Sequence, residues 1–188
     1  MDTKTDKELQ QQKHYAYLSQ LQNMARELPV KYQHRLPYDL LSSLARVLLD
    51  GTVFEIISSL REVQQLEERN LPNKRIKLTN EHKLLKQDMQ RKHRDKLQSY
   101  ANQTHNLKLE ETKCHQEMQE LESRCEDNLR RMDMEVIRKL DQQVVDQQLF
   151  LEKASVPGFT VTNNLTVIQL QMYLLGFIAT ISRSSSHV

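Results

Sequence analysis

Asn73-Lys-Arg-Ile-Lys-Leu-Thr-Asn80 opens a stretch that closes at Leu151-Glu-Lys-Ala-Ser-Val156, and the 84 residues from 73 to 156 contain neither proline nor glycine. Pro72 bounds it on one side and Pro157-Gly158 on the other. The segment is rich in Glu, Gln, Lys, Arg, Leu and Met, which lose little side-chain freedom in a helix. One straight helix of that length spans roughly 125 Å at about 1.5 Å per residue. A chain of 188 residues has no core that could bury such a rod. The segment must therefore pair with another helix, in its own chain or in a partner.

Working outward, the segment divides by charge. Residues 74–96 carry nine Lys/Arg against three Asp/Glu, a balance of +6, and residues 108–152 carry twelve Asp/Glu against seven Lys/Arg, a balance of −5. Between them lies Ala101-Asn-Gln-Thr-His-Asn106, with several of the poorer helix formers together. Two arrangements satisfy this pattern. The segment folds back near 102–106 and its arms lie antiparallel, or it continues as one helix that pairs with another chain. In either case Leu107, Met118, Leu129, Leu140 and Leu151 recur every eleven residues and define a coiled-coil seam. An eleven-residue period keeps a stripe nearly straight along a helix. Cys114, Leu121, Cys125, Met132, Val136, Val144 and Val145 fill much of the same side.

Before the segment, residues 3–28 read as a first helix with a stripe at Tyr15, Leu18, Leu21, Met24 or Ala25, and Leu28. Pro29 and Pro37 bracket a short connection, and a second helix runs from about Tyr38 to Asp50-Gly51, where glycine suits a left-handed cap. Thr52-Val-Phe-Glu55 has the capping-box spacing, with Thr52 and Glu55 satisfying each other's backbone amides. A third helix then ends near Asn70. The second and third helices are expected to form a hairpin, either a docking site or a small core closed by the first helix.

After the segment, Ser155-Val-Pro-Gly158 reads as a turn and Phe159-Thr-Val-Thr162 as an extended strip or brief strand. Asn164 is placed to cap a final helix over about 165–181 that carries no charge. Arg183–Val188 reads as a disordered tail. The final helix sits at the lower end of the membrane-spanning length. Thr166, Gln169, Gln171, Gly176 and Thr180 disfavour a lipid environment, so packing on the chain itself or on a partner is the stronger reading. The expected division is 1–72, 73–156 and 157–188.

The composition excludes more functions than it suggests. Charged residues are 28%, aromatics 5%, and the net charge of +2 steers the molecule neither to nucleic acid nor to membrane. The first fourteen residues hold no apolar run, so no signal peptide is expected. Two cysteines then fit a reducing compartment, nuclear or cytoplasmic, and the sequons at Asn102 and Asn164 read as chance matches. Cys114 and Cys125 lie about 16 Å apart on one helix face, too far to bridge within one straight helix; each could meet its twin in a parallel dimer, but seam packing is the stronger reading. No catalytic, cofactor-binding or metal-ligating constellation is visible, and no cofactor is expected. Lys74, Arg75 and Lys77, with Arg91, Lys92 and Arg94, form two basic clusters. They read as a solvated helix face, as a nuclear import signal, or as a phosphate-binding surface.

Several stretches resemble one family: Leu48-Leu-Asp-Gly-Thr-Val-Phe-Glu-Ile56, Asn80-Glu-His82, Lys92-His93, Asp146-Gln-Gln148, Leu151-Glu-Lys-Ala154, Gly158-Phe159, Val161-Thr162, Leu170-Gln-Met172 and Leu174-Leu175. They resemble the Gonadal/DiGeorge syndrome critical region protein family, its insect branch most of all. Vertebrate members are more charged after the final Leu-Leu pair, where this chain has Gly176-Phe-Ile-Ala-Thr-Ile181. The resemblance implies a non-enzymatic, largely helical protein associated with gonadal expression and development, often nuclear, and supplies no catalytic or ligand residues.

The combined expectation is an all-α protein: an N-terminal helical hairpin, a long coiled-coil segment and a C-terminal apolar helix. Its expected function is that of a scaffold or adaptor binding other proteins, or a second copy of itself, through the coil and the apolar helices. The alternative is a nuclear nucleic-acid-associated factor using residues 74–96.

Overall fold

The computed structural model of the chain describes residues 2–185. Among them there is no strand. The elements are α1 (Asp2–Arg26), α2 (Val30–Gln33), α3 (Tyr38–Val47), a 3-10 turn (Leu48–Asp50), α4 (Thr52–Ser99), α5 (Thr104–Lys153) and α6 (Leu165–Ser185). The chain forms two compact units, one from residues 1–64 with 142–188 and one from residues 65–141.

The first unit holds the main core, contributed by both ends of the chain. Leu21 of α1, Leu44 of α3, Leu48 of the 3-10 turn, Leu151 of α5, and Leu174, Ile178 and Ile181 of α6 are fully enclosed. Each such side chain contributes about 1.5–3 kcal/mol relative to exposure. Helix α3 packs chiefly on α1 rather than on the helix that follows it, and α4 joins the core through Val53 and Ile57. The α1 stripe is shifted from the sequence expectation: Tyr15 is exposed, and Tyr17 is buried. The Tyr17 ring meets Phe54 edge-on at 6.2 Å, and its hydroxyl is 3.2 Å from Ser185 Oγ. Helix α6 is long and apolar enough to cross a membrane. In the structure it gives Leu170, Leu174, Phe177, Ile178 and Ile181 to the core. It reaches Ser185, so 183–185 of the expected tail are helical, and 186–188 lie outside the described residues.

Two glycines are dictated by backbone conformation. Gly51 stands at φ 82° between the 3-10 turn and α4, a value costly for other residues. Gly158 has φ 88°, and a Cβ there would lie 2.7 Å from Leu174 Cδ1.

Two local expectations are corrected, and of the two readings of 159–162 the extended strip holds. Pro72 does not end a helix but lies inside α4, so the expected boundary at 72 is absent. The missing amide and ring clash cost about 3 kcal/mol, yet the apolar residues on both sides share one face. Leu71 lines a cavity with Met132 and Val136 of α5, and Leu78, two turns along from Leu71, is half-buried beyond the proline. The strip 159–162 has no sheet pairing, because no second strand is offered. The start of α4 is capped by a different residue. Asp50 Oδ1 accepts the Thr52 N–H at 2.9 Å, and the Glu55 N–H goes to the Gly51 carbonyl at 3.3 Å. Thr52 is thus already the first helical residue, one step too late for its hydroxyl to act as the cap. Asp50→Ala should lower stability by about 1 kcal/mol, and Thr52→Ala should leave it within about 0.5 kcal/mol. Chemical denaturation of both variants tests this, and the reverse order would restore the capping box.

Candidate protein-interaction site

In the first unit, two glutamines take the place of a strand partner for the strip 159–162. Gln148 on α5 and Gln171 on α6 are 2% and 3% exposed. Gln148 Nε2 donates to Gln171 Oε1 at 2.9 Å. Gln148 Oε1 accepts the Thr162 N–H at 3.1 Å, and Gln171 Nε2 donates to the Thr160 carbonyl at 2.9 Å. The strip's backbone has no sheet partner to bond to, and these two amides take one N–H and one carbonyl of it, both part-buried, while linking α5 to α6. The clamp pins the strip, and Phe159 beside it is buried.

Around the clamp runs a groove between α4, α5 and α6, with a cavity of about 270 Å³. Ile57, Val144, Phe159, Ile168, Met172 and Leu175 give it apolar walls, and Gln64, Gln147, Gln148 and Gln171 add amides. Arg61 is the one charged residue in the lining. Asn164 caps α6 at the groove's end of the chain, its Oδ1 accepting the amides of Thr166 and Val167 at 3.0 and 3.3 Å.

The second unit is an antiparallel helical hairpin. Helix α4 ends at Ser99 and α5 begins at Thr104, so the fold-back reading holds and the continuous helix does not. Its register is visible in the charge pairs. Arg75 meets Asp133 at 2.9 Å, Lys86 meets Glu122 at 3.9 Å, His93 meets Glu117 at 2.8 Å and Lys96 meets Glu110 at 2.7 Å. Rising numbers on α4 match falling numbers on α5. Glu110, 7% exposed, also takes Lys113 at 2.8 Å. These two ammonium groups, Lys113 first, hold its carboxyl below the ordinary range. Arg75 does the same for Asp133, and Lys92 and Arg91 for Asp88. Burial pushes the Cys114 thiol up, so it is no activated nucleophile.

The seam residues fall in different environments. Leu107, Met118 and Leu129 are half-buried in the hairpin, Leu140 is 39% exposed, and Leu151 belongs to the core of the first unit. The most buried seam-side positions are Cys114, Leu121 and Cys125, and both cysteines are free thiols. His82 of α4 is buried with neither ring nitrogen hydrogen-bonded. Of the basic clusters, Arg75 is held by Asp133, and Arg91 and Lys92 by Asp88. Lys74, Lys77 and Arg94 are in no ion pair among the described residues. No group of three His, Cys, Asp or Glu among the described residues is placed to hold a metal.

The described residues define an all-α protein with a charge-registered hairpin and an amide-clamped core. Its sequence profile gives the family: the description "DiGeorge syndrome critical region 6 (DGCR6) protein" matches residues 1–188, and the chain belongs to that family. Protein DGCR6 of Gallus gallus is 44% identical over 177 residues, covering 94% of this chain and 88% of the chicken protein. Gonadal protein gdl of Drosophila melanogaster is 36% identical over 176 residues, covering 94% and 83%. Of these two the vertebrate relative is the more similar, against the expectation of a greater likeness to the insect branch. Neither relative's name is that of an enzyme. No solved structure matches.

Two outcomes follow from this geometry. Gln148→Leu leaves the buried Gln171 Oε1 without its donor and the part-buried Thr162 N–H without its acceptor, and should cost about 1–3 kcal/mol, the penalty of one buried orphan. A urea titration showing a loss below about 0.5 kcal/mol would remove the clamp's structural role. Glu110, Asp133 and Asp88 have lowered folded-state pKa values. Their stabilisation is therefore complete above the ordinary carboxylate pKa of about 4 and is lost as pH falls through the lowered values. Thermal melts should be flat near neutrality and fall in acid, and the acid loss should shrink in Glu110→Gln.

Proposed function

We propose that this protein is a non-enzymatic helical adaptor. It binds other proteins through the outer faces of the 65–141 hairpin, by coiled-coil packing, and through its apolar end helices. It acts in the nucleus or cytoplasm, in development or gametogenesis, and the word Gonadal in one relative's name supports the developmental part. The observation that carries the reading is the apolar surface left in water on the hairpin. Leu84 is 65% exposed, Leu85 53%, Met134 70% and Ile137 59%. Burying such side chains fully is worth about 1.5–3 kcal/mol each, a gain that the hairpin's own pairing leaves unused. Charge supports register and partner choice more than affinity.

A second reading, nucleic-acid association in the nucleus, has Lys74, Lys77 and Arg94 in its favour and the engagement of Arg75, Arg91 and Lys92 by carboxylates against it.

Cross-linking with mass spectrometry in cell extract, alongside light scattering of the pure protein at low and high salt, tests the choice. Protein cross-links mapping to 65–141 and lost in Leu84→Glu/Met134→Glu, with helicity kept, are the expected result. A doubled mass would make the partner a second copy. Binding to a DNA duplex that weakens steeply with salt, with no protein cross-links, would replace the adaptor with the second reading.

A further inference from the structure

We infer that the α4/α5/α6 groove of the first unit is a docking site for one amphipathic helix of a partner protein, with two apolar anchors and a carboxylate that meets Arg61. This rests on the reading of the protein as an adaptor and places a distinct contact outside the hairpin.

Gly176 is the first observation. It sits in the middle of α6, where glycine costs about 1 kcal/mol against alanine. Its φ is ordinary, and a Cβ built on it meets nothing within 4 Å. Neither backbone conformation nor packing within the chain calls for a glycine there, in contrast to Gly51 and Gly158. Gly176 lines the groove, so the space kept open by the missing side chain faces outward. Small residues let two helix backbones approach closely, and that is the use this position offers.

Size is the second. Ligand pockets for small molecules run from about 300 to 1,000 Å³, and a dry cavity of about 150 Å³ takes one benzene. The 270 Å³ present falls below the small-molecule range and suits about two apolar side chains. Met172, 59% exposed, and Ile57, Phe159 and Leu175 give it apolar walls. Anchors at i and i+4 or i+3 of a helix match such a slot.

Charge is the third. Arg61 is exposed, is the lone charged residue in the lining and is in no ion pair among the described residues. Helix α6 has no charged residue before Arg183, so no acid of α6 competes for Arg61. A partner carboxylate gains a guanidinium fork, and a partner ammonium meets only repulsion and amides.

The test uses the full chain and two stapled helical peptides of about sixteen residues with leucines at i, i+4 and i+7. The peptides differ only in a terminal Glu or Lys. Fluorescence polarisation should show saturable binding of the Glu peptide and roughly tenfold weaker binding of the Lys peptide. Arg61→Glu should reverse that order. Gly176→Leu should lose the Glu peptide by at least about tenfold while its melting temperature is unchanged or raised, since leucine is the better helix former. Absence of saturable binding by either peptide, or full binding by Gly176→Leu, overturns the site. A wild-type dimer that Gly176→Leu converts to a monomer overturns the partner helix and gives the groove to a second copy. The hairpin variant Leu84→Glu/Met134→Glu should bind the peptide like wild type. Failure of the groove is thus separable from failure of the adaptor reading, whose hairpin contacts are tested on residues 65–141.

Discussion

Everything in the first unit depends on the burial of Leu151 and its neighbours among side chains from the far end of the sequence. Leu21, Leu44 and Leu48 come from the first third of the chain, and Leu174, Ile178 and Ile181 from the last tenth. Were residues 65–141 a flexible loop, closing it would cost about 4 kcal/mol in chain entropy plus a constant. That is the yield of about two enclosed aliphatic side chains. The core has seven such side chains, so the closure is affordable. The fold-back at 100–103 reduces the cost further, because an antiparallel pair carries its two ends to the same side.

The all-α class, a break close to 101–106, the glycine turn at 51 and the cap at Asn164 were legible because each is a local preference. Leu, Glu, Gln and Lys favour helix, four of the poorer helix formers close together interrupt one, and glycine alone tolerates positive φ cheaply. Periodicity also told which side of α5 is apolar. It did not tell what that side faces, and an eleven-residue repeat runs unbroken from Leu107 in the hairpin to Leu151 in the other unit's core. Pro72 misled for a related reason: its local penalty is real, but Leu71 and Leu78 on either side are held by packing that no dipeptide rule contains.

The clamp was the least legible feature. By sequence Gln171 is an argument against lipid and Gln148 stands out only within Asp146-Gln-Gln148, because glutamine in a helix is ordinarily a surface residue. Their roles appear only when α5 and α6 are side by side and the strip between them is short of partners. The signal available was their place within the stretches that resemble the family. The charge segregation of the hairpin was plain from composition. Which lysine meets which glutamate was not, since register is set by the turn and by the packing of His82, Cys114, Leu121 and Cys125.

The discontinuous core has a consequence for biosynthesis. The hairpin is whole once residue 141 has been made, but the core lacks Leu174, Ile178 and Ile181 until residues 174–181 are added. At about 5–20 residues per second, the 124 residues between Ile57 and Ile181 take roughly 6–25 s to emerge. During that interval Leu21, Leu44 and Leu48 have no lid. The first unit's core therefore closes only after the whole of residues 65–141 has been synthesised.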